Sequence, residues 1–193
     1  MANFNKKISE TAVRIGEVRF GYVNVFQPRA NEGNEPKYSV QLLIPKTDTV
    51  AKKMIDEAIK AAAQAGASKF KGGKVPAMLK TPLRDGDLEK PEDDTYAGMW
   101  FMNCSSKQTN KPGVLVLNNG QFEDALDSDD FYSGCYGCAS VNFFAYNASG
   151  NQGIGAGLNN VIKTRDGEKL SGGHSAQQDF ADLAGDLSGL NLD

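Results

Sequence analysis

The chain has 193 residues, 40% of them hydrophobic and 23% charged, with a formal net charge of −3. That length suits one domain of ordinary size plus a tail and is too short for two well-packed domains. No apolar run approaches the ~18 residues of a membrane span, and the opening MANFNKKISE has no leader pattern, so the chain is expected to stay in the cytoplasm and off membranes.

The first strong pattern is VRIGEVRFGYVNVF, Val13 to Phe26, a β-branched and aromatic run that reads as a long strand with Gly16 and Gly21 where it can bend. A long bent first strand suits a small barrel. Arg14, Arg19, Phe20 and Tyr22 place cationic and aromatic groups together, the mixture that holds phosphates and stacks bases; an edge strand with solvated arginines fits this segment equally well. Residues 27–36 are turn formers. Lys37, Ser39 and Gln41 then alternate with Tyr38, Val40, Leu42 and Ile44 in a half-buried strand that Pro45 ends. Asp48 or Thr49 can cap a helix from about Val50 to Ala65, with Val50, Met54, Ala58 and Ala61 on one stripe, Ile55, Ile59 and Ala62 beside it, and Gly66 as the stop. No row of Arg or Asn marks it as a groove-reading helix.

Lys69-Phe70-Lys71-Gly72-Gly73-Lys74 is a basic loop with one aromatic, followed by Lys80; it can clamp a backbone but lacks the GxxxxGK[ST] spacing of a phosphate-binding loop. Residues 82–95 read as an acidic surface loop. Ala97 to Ser105 is a strand whose Trp100 is either core or stacking platform. Lys107 and Lys111 fall on a polar turn, where they can reach phosphates, before the buried strand Val114–Leu117, closed by Asn118-Asn119-Gly120. Residues 121–133 are acidic and suggest a short helix; their aspartates do not have the spacing of an EF-hand loop. Cys135-Tyr136-Gly137-Cys138 is a single CxxC opening a strand, with His174 the lone histidine and Cys104 the third cysteine, so neither a four-ligand zinc site nor a redox helix motif is assembled. No metal or cofactor is expected.

From about Cys138 to Tyr146 and from about Gly153 to Lys163, two β-rich runs flank the turn formers Asn147 to Gln152, which reads as a β-hairpin. Ala139, Val141, Phe143 and Ala145 share one face; Ser140, Asn142, Phe144 and Tyr146 share the other. Two rings beside an Asn suit stacking of flat bases, whereas a sandwich would bury both faces. In the second run Gly153, Gly155 and Gly157 leave one edge without side chains, so something can approach that backbone closely.

Charge is segregated along the chain. Residues 1–80 hold 14 Lys or Arg against 7 Asp or Glu, while residues 171–193 hold no Lys or Arg and four acids. In that terminal stretch Phe180, Leu183, Leu187 and Leu190 recur at spacings of three and four, interleaved with Asp179, Asp182 and Asp186 and ending at Asp193. Gly185 and Gly189 keep such a peptide from holding a helix alone, so it is expected to be disordered until it folds onto a partner.

VNFFAYN, the Gly-punctuated strand and Gly157-Leu158-Asn159-Asn160-Val161 with Arg165-Asp166-Gly167-Glu168, followed by the acidic tail, resemble a family of phage-encoded single-stranded DNA-binding proteins with an OB-fold, formerly a domain of unknown function. The resemblance implies a mainly β fold: an OB-like five-stranded barrel with one long helix over residues 1–170 and an acidic tail over 171–193. It implies sequence-independent binding and protection of single-stranded DNA in the bacterial host's cytoplasm during phage replication, recombination or repair, with a tail that regulates DNA binding by competing for the basic surface and recruits replication or recombination proteins. The residues expected on DNA are Arg14, Arg19, Tyr22, Lys37, Lys69, Lys71, Lys74, Lys80, Trp100, Lys107, Lys111, Phe144 and Tyr146; those expected on partners are Asp179, Phe180, Asp182, Leu183, Asp186, Leu187 and Asp193. A homo-oligomer stays open. One feature is at odds with the usual OB order: the long helix follows the second strand rather than the third. A phage structural or assembly protein is the alternative, and no catalytic constellation supports an enzyme.

Overall fold

The computed structural model describes residues 4–30, 33–148 and 150–170. The expected tail, 171–193, lies outside the described residues. Five long strands form the frame: β2 (Ala12–Arg29), β3 (Lys37–Pro45), β5 (Met99–Lys107), β8 (Tyr136–Ala148) and β9 (Asn151–Arg165). They pair antiparallel in the order β5-β3-β2-β8-β9, and Ser105 of β5 pairs parallel with Gly157 of β9 to close the ring. A barrel whose third and fifth strands meet in parallel has the strand order of the OB-fold. The helix α1 (Thr49–Ala65) sits between the second and third barrel strands, as its place in the sequence required.

Alternation along each strand fills the interior. Val13, Ile15, Val18, Phe20 and Val25 of β2, Val40, Leu42 and Ile44 of β3, Met102 and Cys104 of β5, and Ala139, Val141, Phe143 and Ala145 of β8 all belong to one buried cluster. Two register shifts in β2 fall between Ile15 and Val18 and between Gly21 and Asn24, where the two glycines were expected to bend it, and a third falls between Asn24 and Arg29. The bend after Gly21 leaves Tyr22 at φ 45°, in the left-handed region, and 69% exposed.

Helix α1 buries Ala51, Ile55, Ala58, Ile59, Ala62 and Ala63. Burial therefore centres on the stripe Ile55, Ile59 and Ala62 and takes in Ala58 of its neighbour, while Val50 at the head of that neighbouring stripe is half exposed. The Asp48 carboxylate accepts from Ala51 N–H at 2.9 Å and caps the N-terminus. Replacing Asp48 with Ala is expected to lower stability by about 1 kcal/mol, read as a drop in thermal midpoint, because an orphan donor loses its partner. Gly66 ends the helix by proximity rather than by a left-handed φ: a Cβ there would lie 2.3 Å from Ala145 Cβ of β8.

Three local expectations differ. Residues 82–95 are not a plain loop: β4 (Leu83–Asp85) pairs with β5, and the short helix α2 (Gly86–Glu89) follows. Gln121–Asp124 is a strand, β7, rather than a helix. It pairs with β6 (Gly113–Asn118) through a turn in which Asn119 and Gly120 take φ of 50° and 79°. Of the residues Val114 to Leu117 in β6, only Val114 is buried, because the β6–β7 hairpin stands out from the edge of β9. The remaining short strand, β1 (Lys6–Lys7), pairs with β2.

Candidate nucleic-acid interface

The outer face of the β8–β9 hairpin carries the site. Asn142, Phe144 and Tyr146 of β8 stand opposite Gly157, Gly155 and Gly153 of β9. Each side chain lies across the facing strand: a Cβ at Gly155 would be 2.6 Å from Phe144 Cζ, one at Gly157 would be 2.6 Å from Asn142 Oδ1, and one at Gly153 would be 3.2 Å from the Tyr146 hydroxyl. The glycine edge noted in the sequence is thus the bed on which these side chains rest. Phe144 stays 44% exposed while its neighbour Phe143 is 3% exposed and in the core. One face is buried and one is open, so the hairpin is not the middle of a sandwich.

Lysines collect at both ends of this row. At the hairpin tip, Lys80 O accepts from Ile154 N–H at 2.8 Å, Lys69 Nζ donates to Ala145 O at 3.2 Å, and Lys71 N–H donates to the Gln152 side chain at 3.0 Å. Asn147 Nδ2 locks the loop by donating to Lys69 O at 2.9 Å. Lys74 follows in the same exposed loop. At the other end, a groove of about 530 Å³ is lined by Lys37, Lys107, Lys111, Ser105, Asn142 and Phe144, and none of its lining residues is acidic. Lys37 and Lys107 are direct cross-strand partners of β3 and β5. Like charges directly opposite destabilise a sheet, so the pair calls for an anion.

Among the described residues, none of Lys37, Lys69, Lys71, Lys74, Lys80, Lys107 and Lys111 has a carboxylate within ion-pairing distance. Elsewhere on the barrel, Lys46 holds Asp85 and Asp87, Arg84 holds Glu89, Lys163 holds Asp166 and Arg165 holds Glu17. Those contacts push the Lys46 ammonium up and hold the Asp85, Asp87 and Asp166 carboxyls below their usual range, through hydrogen bonds from the lysines first of all.

The remaining expected contacts sit apart from the row or at its border. Arg14, exposed, is the cross-strand partner of Ser140, on the same outward face as Asn142; its Nε donates to Phe4 O at 2.8 Å. Arg19 donates to the carbonyls of Gly134 and Glu168, at 3.3 and 2.9 Å, and so ties down the chain after β9. Tyr22 lines a different cleft, with Gln41 and Tyr96. The Tyr96 hydroxyl donates to Gln41 Oε1 at 2.7 Å, and burial first, then Tyr22, pushes its pKa up to about 12. Trp100 is half-buried beneath Lys46 and Lys52, whose ammonium groups lie 4.7 and 5.1 Å from its ring centre, beside α1 rather than on the β8–β9 face. The thiols of Cys104, Cys135 and Cys138 are buried, and burial pushes all three pKa values up, so none is a reactive thiolate. Among the described residues, no His, Cys, Asp or Glu cluster could hold a metal.

The family model built on the ssDNA-binding protein of Enterobacter phage Enc34 matches residues 11–188. The chain belongs to this family. The p50 protein of Acyrthosiphon pisum secondary endosymbiont phage 1 is 32% identical over 183 residues, covering 89% of this chain and 94% of that one. The structure of the single-stranded DNA-binding protein of bacteriophage Enc34 in complex with ssDNA superposes with a TM-score of 0.74 at 25% identity, over 89% of this chain and 96% of that chain. The bacteriophage T7 single-stranded DNA-binding protein gp2.5 superposes with a TM-score of 0.57 at 16% identity, over 90% of this chain and 94% of that chain, a likeness of fold alone. Among the described residues no helix is long and apolar enough to cross a membrane.

Proposed function

We propose that the chain binds single-stranded DNA without sequence preference and protects it during phage DNA replication, recombination and repair. The carrying observation is the row Asn142, Phe144 and Tyr146 laid on a glycine bed between two groups of uncompensated lysines. Rings that present a face stack any base, and lysines at both ends follow the phosphates. The geometry favours Phe144 and Tyr146 as the stacking pair, with Lys37, Lys107 and Lys111 at one end, Lys69, Lys71, Lys74 and Lys80 at the other, and Arg14 at the border. The binding domain spans residues 1–170. The acidic tail competes with DNA for the lysines and carries contacts to replication or recombination proteins, with Phe180, Leu183 and Leu187 as anchors and its aspartates as complementary charge.

Titration with labelled single-stranded and duplex oligonucleotides across a salt series tests this reading. Binding is expected to favour the single strand and to weaken steeply and linearly on a log–log plot as salt rises, since phosphate contacts release counterions. Equal affinity for both forms, or no binding at low salt, would return the chain to a structural or assembly role.

A further inference from the structure

A mainly apolar recess lies beside α1, apart from the row Asn142, Phe144 and Tyr146. Between α1 and the strap formed by residues 75–83 is a groove of about 440 Å³, floored by Ile59, Ala63, Leu79, Leu83 and Trp100 and walled by Val75. The strap keeps apolar side chains in water here: Val75 is 40% exposed and Met78 is 94% exposed. Exposed apolar surface beside a preformed recess marks an interaction site. The rim is net basic. Lys60 and an ion pair of Lys52 with Asp56 line it, and Lys74 and Lys80 stand on the strap or next to it. Lys60, Lys74 and Lys80 have no carboxylate within ion-pairing distance among the described residues. The occupant that fits is therefore apolar on one side, acidic on the other, and small enough to insert only a few side chains.

The chain itself carries such a segment. Phe180, Leu183, Leu187 and Leu190 recur at helical spacing, with Asp179, Asp182 and Asp186 between them. Its point of departure is also favourable. Leu170, the last described residue, packs on Leu43, Tyr96 and Phe101, and its N–H donates to Ser133 O at 2.9 Å. Phe101 is the neighbour of Trp100 in β5 and points to the opposite face, so the linker has to pass round the sheet to reach the groove. Nine residues lie between Leu170 and Phe180, so the ten chain steps reach up to ~35 Å when extended. A compact domain of this size has a radius of gyration of only ~15 Å. The linker is therefore long enough to span the domain to the groove.

We infer that the groove between α1 and residues 75–83 is the docking site for the acidic amphipathic tail of the same chain, which seats Phe180, Leu183 and Leu187 over Trp100. This rests on the tail's being functional, as proposed above, and adds where its apolar side goes. It also joins the tail to the DNA face: one side of the strap lines the groove through Val75, Leu79 and Thr81, and Lys80 of that strap holds β9 at Ile154. Aspartates of a seated tail then lie beside Lys60, Lys74 and Lys80, where they compete with phosphates at the near end of the DNA row. Because the linker keeps the tail at high effective concentration, a weak contact suffices to hold it there.

Trp100 is the chain's one tryptophan, so its fluorescence reports the groove directly. The test uses full-length protein without DNA and compares the parent with a variant carrying F180S, L183S and L187S, in which every aspartate is kept. Acrylamide quenching of Trp100 is expected to rise at least twofold in the variant, with a red-shifted emission. Adding a peptide of residues 175–193 should bring both back to the parental values. V75E, which puts a carboxylate on the groove wall, should expose Trp100 in the same way while the tail stays parental. Identical quenching in parent and tail variant, with no response to the peptide, would overturn the docking site. Protection that fades on dilution would assign the groove to a second copy's tail and overturn the intramolecular form. Since no DNA enters the measurement, failure here leaves the DNA-binding reading standing, and failure to bind DNA leaves this one standing.

Discussion

Replacing Phe144 with Ala is expected to weaken single-stranded DNA binding by about 1–3 kcal/mol, roughly 5- to 150-fold, while leaving the thermal midpoint nearly unchanged. The two effects separate because the ring sits on the outside. Phe144 is 44% exposed and rests on Gly155, so its removal opens no cavity in the barrel. Phe143, one residue earlier, points the other way and is 3% exposed. Its change to Ala should cost about 3–5 kcal/mol of folding stability through lost burial and a residual cavity. The pair therefore serves as its own control: adjacent rings, identical substitutions, opposite readouts. Fluorescence anisotropy with a labelled oligonucleotide, alongside calorimetric melting, measures both. If Phe144→Ala and Tyr146→Ala each fold and bind as the parent does, the rings only cover the glycine strip.

That the two rings point to opposite faces was readable from VNFFAYN because strand side chains alternate with period two; that the Phe144 face is open was not, since a sandwich would bury both faces and only the exposure of Phe144 decides between them. The long bent first strand, the capped helix and the closing hairpin were readable for the same local reasons. What depends on distant pairing was not. Lys69, Lys71 and Lys80 come to the hairpin tip through hydrogen bonds to residues more than seventy positions away, which no local pattern encodes. Nor does sequence alone say that Lys37 and Lys107 face each other, since that follows from the β3–β5 register. Tyr22 and Trp100 have the right chemistry for stacking, yet the bulge after Gly21 and the packing of α1 put them in other recesses. For β7 a usable signal was present. Asn119-Gly120 is the favoured dipeptide for a two-residue hairpin turn, and it pairs QFED back onto β6 despite the acidic, helix-like composition of the segment that follows. In the groove, Ser105, Asn110 and Asn159 are small polar residues on three different segments, and only barrel closure between β5 and β9 assembles them.

Neutralising the groove lysines should give the largest change in DNA binding, and the sheet geometry says why it is also well tolerated. Lys37 and Lys107 are directly opposed across β3 and β5, and Lys111 lines the same groove. Two ammonium groups facing each other with no carboxylate nearby repel, so the free protein bears a small electrostatic cost that a bound phosphate would relieve. Changing all three to Gln is therefore expected to leave the thermal midpoint unchanged or slightly higher. Binding should respond in the opposite sense. Each phosphate contact to a single strand contributes about 0.7 to the slope of log affinity against log salt. Loss of three such contacts should flatten that slope by about 2 and reduce affinity most strongly at low salt, with the variant and parent curves converging as salt rises. A matched triple at Lys46, Arg84 and Lys163, each already bound to a carboxylate, should leave the slope nearly unchanged. An unaltered salt slope in the Lys37, Lys107 and Lys111 variant would mean that phosphates do not enter this groove, whatever the total affinity does.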